Sequence, residues 1–289
     1  MKKNSSPWLH QLNRTREPVV LDNNIETDIV IVGGGVAGIT TAYTLLRDTK
    51  HDVTVIDCSL VGHGASGHNA GQLTTYFERP LSDIASQFGV QLTCEAQRDV
   101  ESAWLELDRI KEEVSLKTPI YKFTGYAGMT QLSQVLLRLA DNMIRYDGGI
   151  PIEKMLIAED FEFLKDIPTV FSHLYEITSK QNIKKMLETE NDDYVAMLVY
   201  PKGATNSAKI CEELTEVMLE KYSSRFKVYE KTPANAIILE RKSVLTEILL
   251  NKNEMTSNNN TPDFTILSKK IILCTNGFEG FKIINNAGD

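Results

Sequence analysis

The sequence predicts an α/β protein: a domain of strands and helices interrupted by a mainly helical insertion over residues 77–195. Three observations predict it. Residues 28–57 read as strand, tight turn, helix, strand; a second strand–helix pattern opens at residue 196; between them apolar residues recur mostly at helical steps.

The first 26 residues are polar and are expected to lie extended over the surface. The run Ile29–Val32 then suits a strand buried on both faces. Glycines follow at once, after which Ala37, Thr41, Leu45 and Leu46 fall at helical spacing, and Val53–Asp57 form the next strand. Residues 80–117 read as helical, with Ile84, Phe88 and Leu92 on one face and Val100, Trp104, Leu107 and Val114 at three- and four-residue steps. The stretch 119–130 is strand-like. A helix with Thr130 as cap candidate turns Leu132, Val135, Leu136, Leu139 and Met143 inward and stops at Gly148 and Gly149. Residues 151–191 read as two or three short charged helices. The second clean pattern is a strand, Ala196–Tyr200, a turn containing Pro201 and Gly203, and a helix with Ile210, Leu214 and Val217 on one stripe. Strands are expected over 226–232, 234–240, 243–250 and 264–276, with the polar segment 251–262 as a loop tip.

Composition excludes several classes. The chain has 289 residues, 42% hydrophobic and 24% charged, as in a globular protein of one or two domains. A formal charge of −8 gives no electrostatic reason to expect nucleic acid or an anionic membrane as partner. No apolar run is long enough to cross a bilayer, and the N-terminus lacks the apolar stretch of a signal peptide, so a cytoplasmic location is expected. Cys58, Cys94, Cys211 and Cys274 lie far apart and are expected as buried free thiols; the histidines show no ligand spacing, and no metal is expected.

Gly33, Gly35 and Gly38 spell Gly-x-Gly-x-x-Gly. The first allows a tight turn, the second close approach of a pyrophosphate, the third packing of helix on strand. The helix start, with Val36 and Ala37, offers free N–H groups and partial positive charge to phosphate. Alone the hexapeptide also fits a merely structural turn. Here it follows a strand, opens a helix, and Asp57 ends the next strand 19 residues beyond Gly38, where a ribose-hydroxyl acceptor belongs. A dinucleotide is expected. The next stretch, "VGHGASGHNAGQL" (61–73), holds four glycines, and composition alone also allows a flexible loop. Starting four residues after the ribose carboxylate, it can supply backbone donors to a ligand longer than ribose and pyrophosphate, which favours a flavin dinucleotide.

With these residues in view, "DIVIVGGGVAGITTAYTLL…VTVIDCSLVGHGASGHNAGQL" resembles the opening of the D-amino-acid-oxidase-like family of FAD-dependent amine and amino-acid oxidoreductases. It is most like the gamma-glutamylputrescine oxidase branch, which typically carries Gly-Ala-Ser-Gly-Arg-Asn-Gly-Gly-Gln in that loop. "YPKGATNSAKICEEL", "VYEKTPANAI" and "IILCTNGF" are similar to later family elements. The resemblance implies an FAD-binding, glutathione-reductase-type Rossmann-like domain, residues 27–76 plus 196–282, preceded by a lead-in over 1–26 and interrupted by an incomplete α+β substrate domain, 77–195. It implies that Gly33, Gly35 and Gly38 bind pyrophosphate and that Asp57, where the family usually has Glu, binds ribose. Ala65, Ser66, Asn69, Ala70, Gly71 and Gln72 would line the ribityl and ring side; Ala234 would pass the adenine, and Thr275, Asn276 and Gly277 would close the site. His68 stands where arginine is common. It matches the histidine bonded to flavin in the dimethylglycine and sarcosine dehydrogenase branch, so a covalent link and a non-covalent flavin both stay open, the flanking residues favouring the second.

One dinucleotide fingerprint implies that the substrate itself reduces the flavin. In this family that means hydride transfer from the carbon beside an amine nitrogen, hydrolysis of the imine, and reoxidation by oxygen or another acceptor. Tyr76, Arg79, Tyr121 and Tyr126 are candidates for the amine pocket, and no residue is assigned as catalytic. By the resemblance the family's last strand–helix unit lies beyond residue 289, so a complementing C-terminal fragment or subunit is an expected partner. A non-catalytic FAD-binding remnant is the alternative. A tRNA-modifying domain is a third reading, opposed by the acidic balance.

Overall fold

A computed structural model describes residues 6–250, 262–277 and 280–286. The expected loop tip therefore lies, except for Pro262, outside the described residues. In chain order the elements begin with α1 (Pro7–His10), β1 (Ile25–Val32), α2 (Val36–Asp48), β2 (Val53–Ile56) and β3 (Gln72–Leu73). There follow α3 (Leu81–Phe88), α4 (Val90–Glu113), β4 (Ile120–Met129), α5 (Leu132–Asp147), β5 (Lys154–Ala158), β6 (Glu176–Thr178) and α6 (Lys180–Leu187). The last are β7 (Ala196–Thr205), α7 (Ser207–Lys221), β8 (Phe226–Tyr229), β9 (Ala234–Leu239), β10 (Val244–Ile248), β11 (Phe264–Leu273) and β12 (Lys282–Asn285).

These form two compact units: residues 1–71, 112–119 and 205–289, and residues 72–111 and 120–204. The first holds a seven-stranded mixed sheet in the order β12-β9-β10-β11-β1-β2-β8. β1 runs parallel to β2 and to β11, and Ile29, Val30, Ile31 and Val32 are all buried, as a strand flanked on both edges and covered on both faces requires. α2 buries Ile39, Ala42, Tyr43 and Leu46, the 3.6-residue stripe of a helix docked by one face. β9, β10 and β11 are an antiparallel meander. β10 pairs only with Phe264–Ser268 of β11, so over Lys270–Leu273 β11 pairs with β1 and with no second strand among the described residues.

The second unit has a five-stranded sheet, β3-β7-β5-β6 with β4 also on β7. Its core joins Met155–Ala158 of β5 to Val135 and Leu139 of α5, Met197 of β7, and Leu174 and Ile183.

Several expectations are corrected. The long helix over 80–117 is two, divided at Gly89, whose φ of +83° a side-chain-bearing residue rarely adopts; Phe88 and Leu92 beside it are exposed. Gln131, not Thr130, caps α5, in a reciprocal capping box with Gln134. The region 151–191 contains, besides α6 and two single-turn 3-10 helices (Leu164–Asp166 and Thr169–Phe171), two strands that were not expected: "KMLIA" is a short apolar run whose period does not separate strand from buried helix. β7 passes unbroken through Pro201 and Gly203. Its Ala196–Val199 half pairs with β5 and Gly203–Ala204 with β3, so the proline, which cannot donate, falls between the two ladders. That pairing also puts residues 72–76 and 196–204 in the second unit, where the sequence grouped them with the first. Of the four thiols, Cys94 and Cys211 are buried, whereas Cys58 is exposed and Cys274 half-buried.

The lead-in is not loosely extended. It forms α1, buries Leu21, and places Arg14 and Arg16 against Glu230, whose side chain is 0% exposed. Arg14 donates to both Glu230 oxygens, Arg16 NH1 donates to Oε2 at 2.8 Å, and Val61 N–H donates to Oε1 at 2.7 Å. Burial alone would raise the Glu230 pKa; the hydrogen bonds from Arg14, Val61 and Arg16 outweigh it and hold the group below its ordinary 4.5. Replacing Glu230 by Ala removes the carboxylate that Arg14 and Arg16 share and leaves them Glu212 as ion-pair partner, and a loss of about 3 kcal/mol is expected in urea unfolding. A carboxylate depressed in the fold contributes stability above its unfolded pKa and loses it as pH falls through the folded value. The wild-type urea midpoint should therefore drop as the pH is taken below 4.5, and that acid dependence should be shallower in Glu230→Ala.

Candidate cofactor site

β1 delivers the chain to Gly33, whose N–H donates to Ile56 O at 2.8 Å and whose φ is +111°. A Cβ there would lie 2.4 Å from Cys274 O, and one on Gly38 would lie 1.8 Å from Gly33 O. No side chain fits at either position, so the turn folds tightly under α2. Gly35 is the N-cap of α2 and has no side chain to satisfy the first amides of the helix. Val36 N–H donates to Ser66 Oγ at 2.9 Å, and the two glycine-rich loops meet again where Gly62 N–H donates to Gly34 O.

Asp57 ends β2. Its Oδ2 accepts from Gly34 N–H and its Oδ1 from Ser59 N–H, each at 2.7 Å. Burial raises its pKa, against the lowering effect of those two donors. Each carboxylate oxygen can accept more than one hydrogen bond, so the group keeps capacity for ligand hydroxyls.

Around this turn the first unit has a cavity of about 830 Å³. Its lining divides by chemistry. Gly33, Gly35, Val36 and Ala37 present backbone and a helix N-terminus; Asp57 and Ser59 present polar side chains; Val32, Ile56, Pro233, Ala234 and Phe281 are apolar. Ala65 and Ser66 enter from the second loop, and Thr275, Asn276 and Gly277 from the turn after β11, where Asn276 and Gly277 have φ of +54° and +75°. The volume lies within the ~300–1,000 Å³ of small-molecule sites. An anion at the helix start, hydroxyls at a carboxylate and a flat apolar ring among Ile56, Pro233 and Phe281 are what such walls can hold, and the adenosine and pyrophosphate of a dinucleotide offer all three.

Eleven predicted residues thus share one lining; the others do not. Gly38 lies behind the turn as packing. Gly71 sits at φ +67° with its N–H donating to Asn69 Oδ1 at 2.7 Å. Asn69 holds the loop together: its Nδ2 donates to Ser66 O at 2.9 Å and to Ser207 Oγ at 2.7 Å. His68 and Ala70 are exposed. His68 Nδ1 lies 2.9 Å from Gly64 O, which can only accept, so Nδ1 is the donor in that contact. Gln72 belongs to β3 in the second unit, as do the four amine-pocket candidates. There Tyr76 packs edge-on against Tyr200, Arg79 donates to Gln87, and Tyr121 and Tyr126 are exposed on β4. Sequence reasoning missed Ser59, Cys274, Pro233 and Phe281. Cys274 and Pro233 adjoin predicted residues and Ser59 lies two beyond Asp57, so these three could have been found by extending the motifs; Phe281 carries no local signal.

A glycine turn under a helix N-terminus, a strand-end carboxylate and an apolar slot in one mixed sheet define a dinucleotide-binding α/β protein. Residues 28–287 match the family model described as FAD dependent oxidoreductase (DAO), and the chain belongs to that family. FAD is the family's cofactor. The chain is 37% identical to gamma-glutamylputrescine oxidoreductase of Escherichia coli (strain K12) over 86 residues, 30% of this chain and 20% of that enzyme. Its fold is similar to that of L-proline dehydrogenase from P. horikoshii, with a TM-score of 0.56 at 15% identity, covering 87% of this chain and 53% of that one. It is equally similar, at 0.56 and 19% identity, to L-alpha-glycerophosphate oxidase from Mycoplasma pneumoniae, with 85% and 53% covered. The chain spans about half the length of these solved relatives. Among the described residues no helix is long and apolar enough to cross a membrane.

Two glycines of this turn differ in what a methyl group would strike. Gly38→Ala meets a backbone carbonyl that cannot move without moving the turn, and about 1–3 kcal/mol of stability should be lost. Gly35→Ala meets Ser66 Oγ at 2.8 Å, a rotatable hydroxyl, and should fold nearly as well as wild type while disturbing the helix start. Urea midpoints of the two variants, measured side by side, check the order.

Proposed function

We propose that this chain binds FAD in the 830 Å³ cavity and is the cofactor-holding part of an oxidoreductase that oxidises the C–N bond of an amine or amino acid. The observation that carries the reading is the convergence of the Gly33–Ala37 turn, Asp57 and the Ala65–Ser66 loop on one cavity. The likeness to gamma-glutamylputrescine oxidoreductase supports an amine, and the fold likeness to L-proline dehydrogenase an amino acid. Bound FAD would supply a two-electron acceptor: the substrate C–H leaves as hydride, the nitrogen loses a proton to water, the imine hydrolyses, and oxygen or another acceptor removes the electrons.

The chain's own part is binding and positioning. The α2 N-terminus and the Gly33–Gly35 backbone neutralise the pyrophosphate; Asp57 accepts from the adenosine ribose; Ile56, Pro233, Ala234 and Phe281 take the adenine. The 61–71 loop holds the rest of the cofactor. The attachment is read as non-covalent, because His68 is exposed and is not part of the cavity lining. The side of β11 over Lys270–Leu273 that meets no second strand among the described residues is read as the place of a strand from a complementing fragment or subunit.

Purified protein incubated with FAD and then freed of unbound flavin by gel filtration should stay yellow, and it should gain about 2.7 kcal/mol of stability at a hundredfold excess of FAD over Kd. Anaerobic addition of a panel of amines and amino acids should bleach the colour. Acid precipitation should release the flavin into the supernatant; colour left in the pellet would mean a bond through His68. A colourless protein whose melting FAD does not shift would overturn the assignment.

A further inference from the structure

The glycine-rich loop 61–71 is held partly from within and partly from outside. Within the loop Gly67 N–H and His68 N–H close one 3-10 turn on Gly64 O and Ala65 O, and the Asn69 side chain donates to Ser66 O and accepts from Gly71 N–H; four of its eleven residues are glycine. Other ties run outward, and many reach a segment far away in sequence. Trp8 Nε1–H donates to Asn69 O at 2.5 Å. The Trp8 ring lies so close under Gly71 that a Cβ there would be 2.5 Å from it. Leu9 lies as close under Gly67, where a Cβ would be 2.7 Å from Leu9 Cδ2. At the loop's other end, Val61 N–H is held by the Glu230 carboxylate that Arg14 and Arg16 neutralise. The segment is itself anchored: Asn206, the N-cap of α7, donates to Trp8 O at 3.0 Å and to Gln11 Oε1 at 3.2 Å.

We propose that residues 7–16 form a strap that pre-organises the cofactor loop, with Trp8 as its positioning residue. The inference rests on the reading of the cavity as an FAD site and adds a part to it. The strap touches the loop at Gly67, Asn69 and Gly71 and reaches Val61 through Glu230, and the loop's Ser66 touches the first amide of α2 and lines the cavity. The strap residues themselves line no part of that cavity. They act on the ligand only through the loop: with the loop held, FAD does not have to order eleven residues when it binds.

The test uses the full chain with Trp8→Ala and Trp8→Phe. In the ligand-free protein, amide hydrogen exchange over residues 61–71 should quicken in Trp8→Ala while β1 and α2 exchange as in wild type. FAD affinity should fall about tenfold, equal to about 1.4 kcal/mol, and AMP, which does not reach beyond its own phosphate, should bind as before. Trp8→Phe keeps a ring under Gly71 and removes only the N–H; it should fall between, and it decides the matter if Trp8→Ala does not fold. Unchanged exchange over 61–71, or equal weakening of FAD and AMP, would overturn the proposal. If wild-type protein binds neither nucleotide, the FAD reading fails, while the exchange measurement still decides whether the strap orders the loop.

Discussion

The first unit depends on one buried carboxylate. Glu230 has no exposed side-chain surface, and a charge so placed must be met by opposite charge and hydrogen bonds or lose its proton. It is met by two arginines from the N-terminus and by the amide of Val61. Because Glu230 directly follows β8, the ion cluster ties the edge of the parallel sheet to the lead-in and to the start of the second glycine-rich loop. The same corner is closed by backbone: Glu230 N–H donates to Val19 O, and Thr232 N–H to Asp57 O. Sheet edge, lead-in and ligand-facing carboxylate therefore share one set of partners, and a change in any of them reaches the cavity.

The second constraint is steric. Gly33 packs on Cys274 O and Gly38 on Gly33 O, so β1, α2 and the end of β11 meet at the distance of bare backbones. That closeness leaves the α2 amides facing the cavity rather than a side chain. Asp57 accepts from Gly34 N–H and so belongs to the turn before any ligand arrives. Its shorter reach compared with glutamate is consistent with that local role: the carboxylate stiffens the phosphate turn and keeps lone pairs for a ribose.

The sequence made this half of the site legible because four marks coincide within thirty residues: a strand buried on both faces, three spaced glycines, a helix, and an acid at the next strand end. Elsewhere local pattern and tertiary context part company. "KMLIA" carries no period that separates strand from helix, and Pro201 reads as a turn although it lies in an unbroken strand between two pairing partners. Asn69 was legible as important and wrongly placed: its amide is engaged within the loop and with Ser207 of α7, so it shapes the cradle instead of lining it.

The lead-in was the least legible part, and the reason is physical. Polar residues at a terminus read as solvated, and nothing in "PWLHQLNRTRE" says that its two arginines have a buried acid more than two hundred residues away. Long-range charge pairing leaves no periodic trace. Yet a loop with four glycines in eleven residues carries a high backbone entropy in the free chain, and few of its own side chains can offset it. Part of the order in such a loop has to come from outside it, which makes the tryptophan and arginines of the lead-in a natural counterpart to the glycines. The glycines admit the ligand's close approach, and the strap supplies the rigidity that glycines cannot.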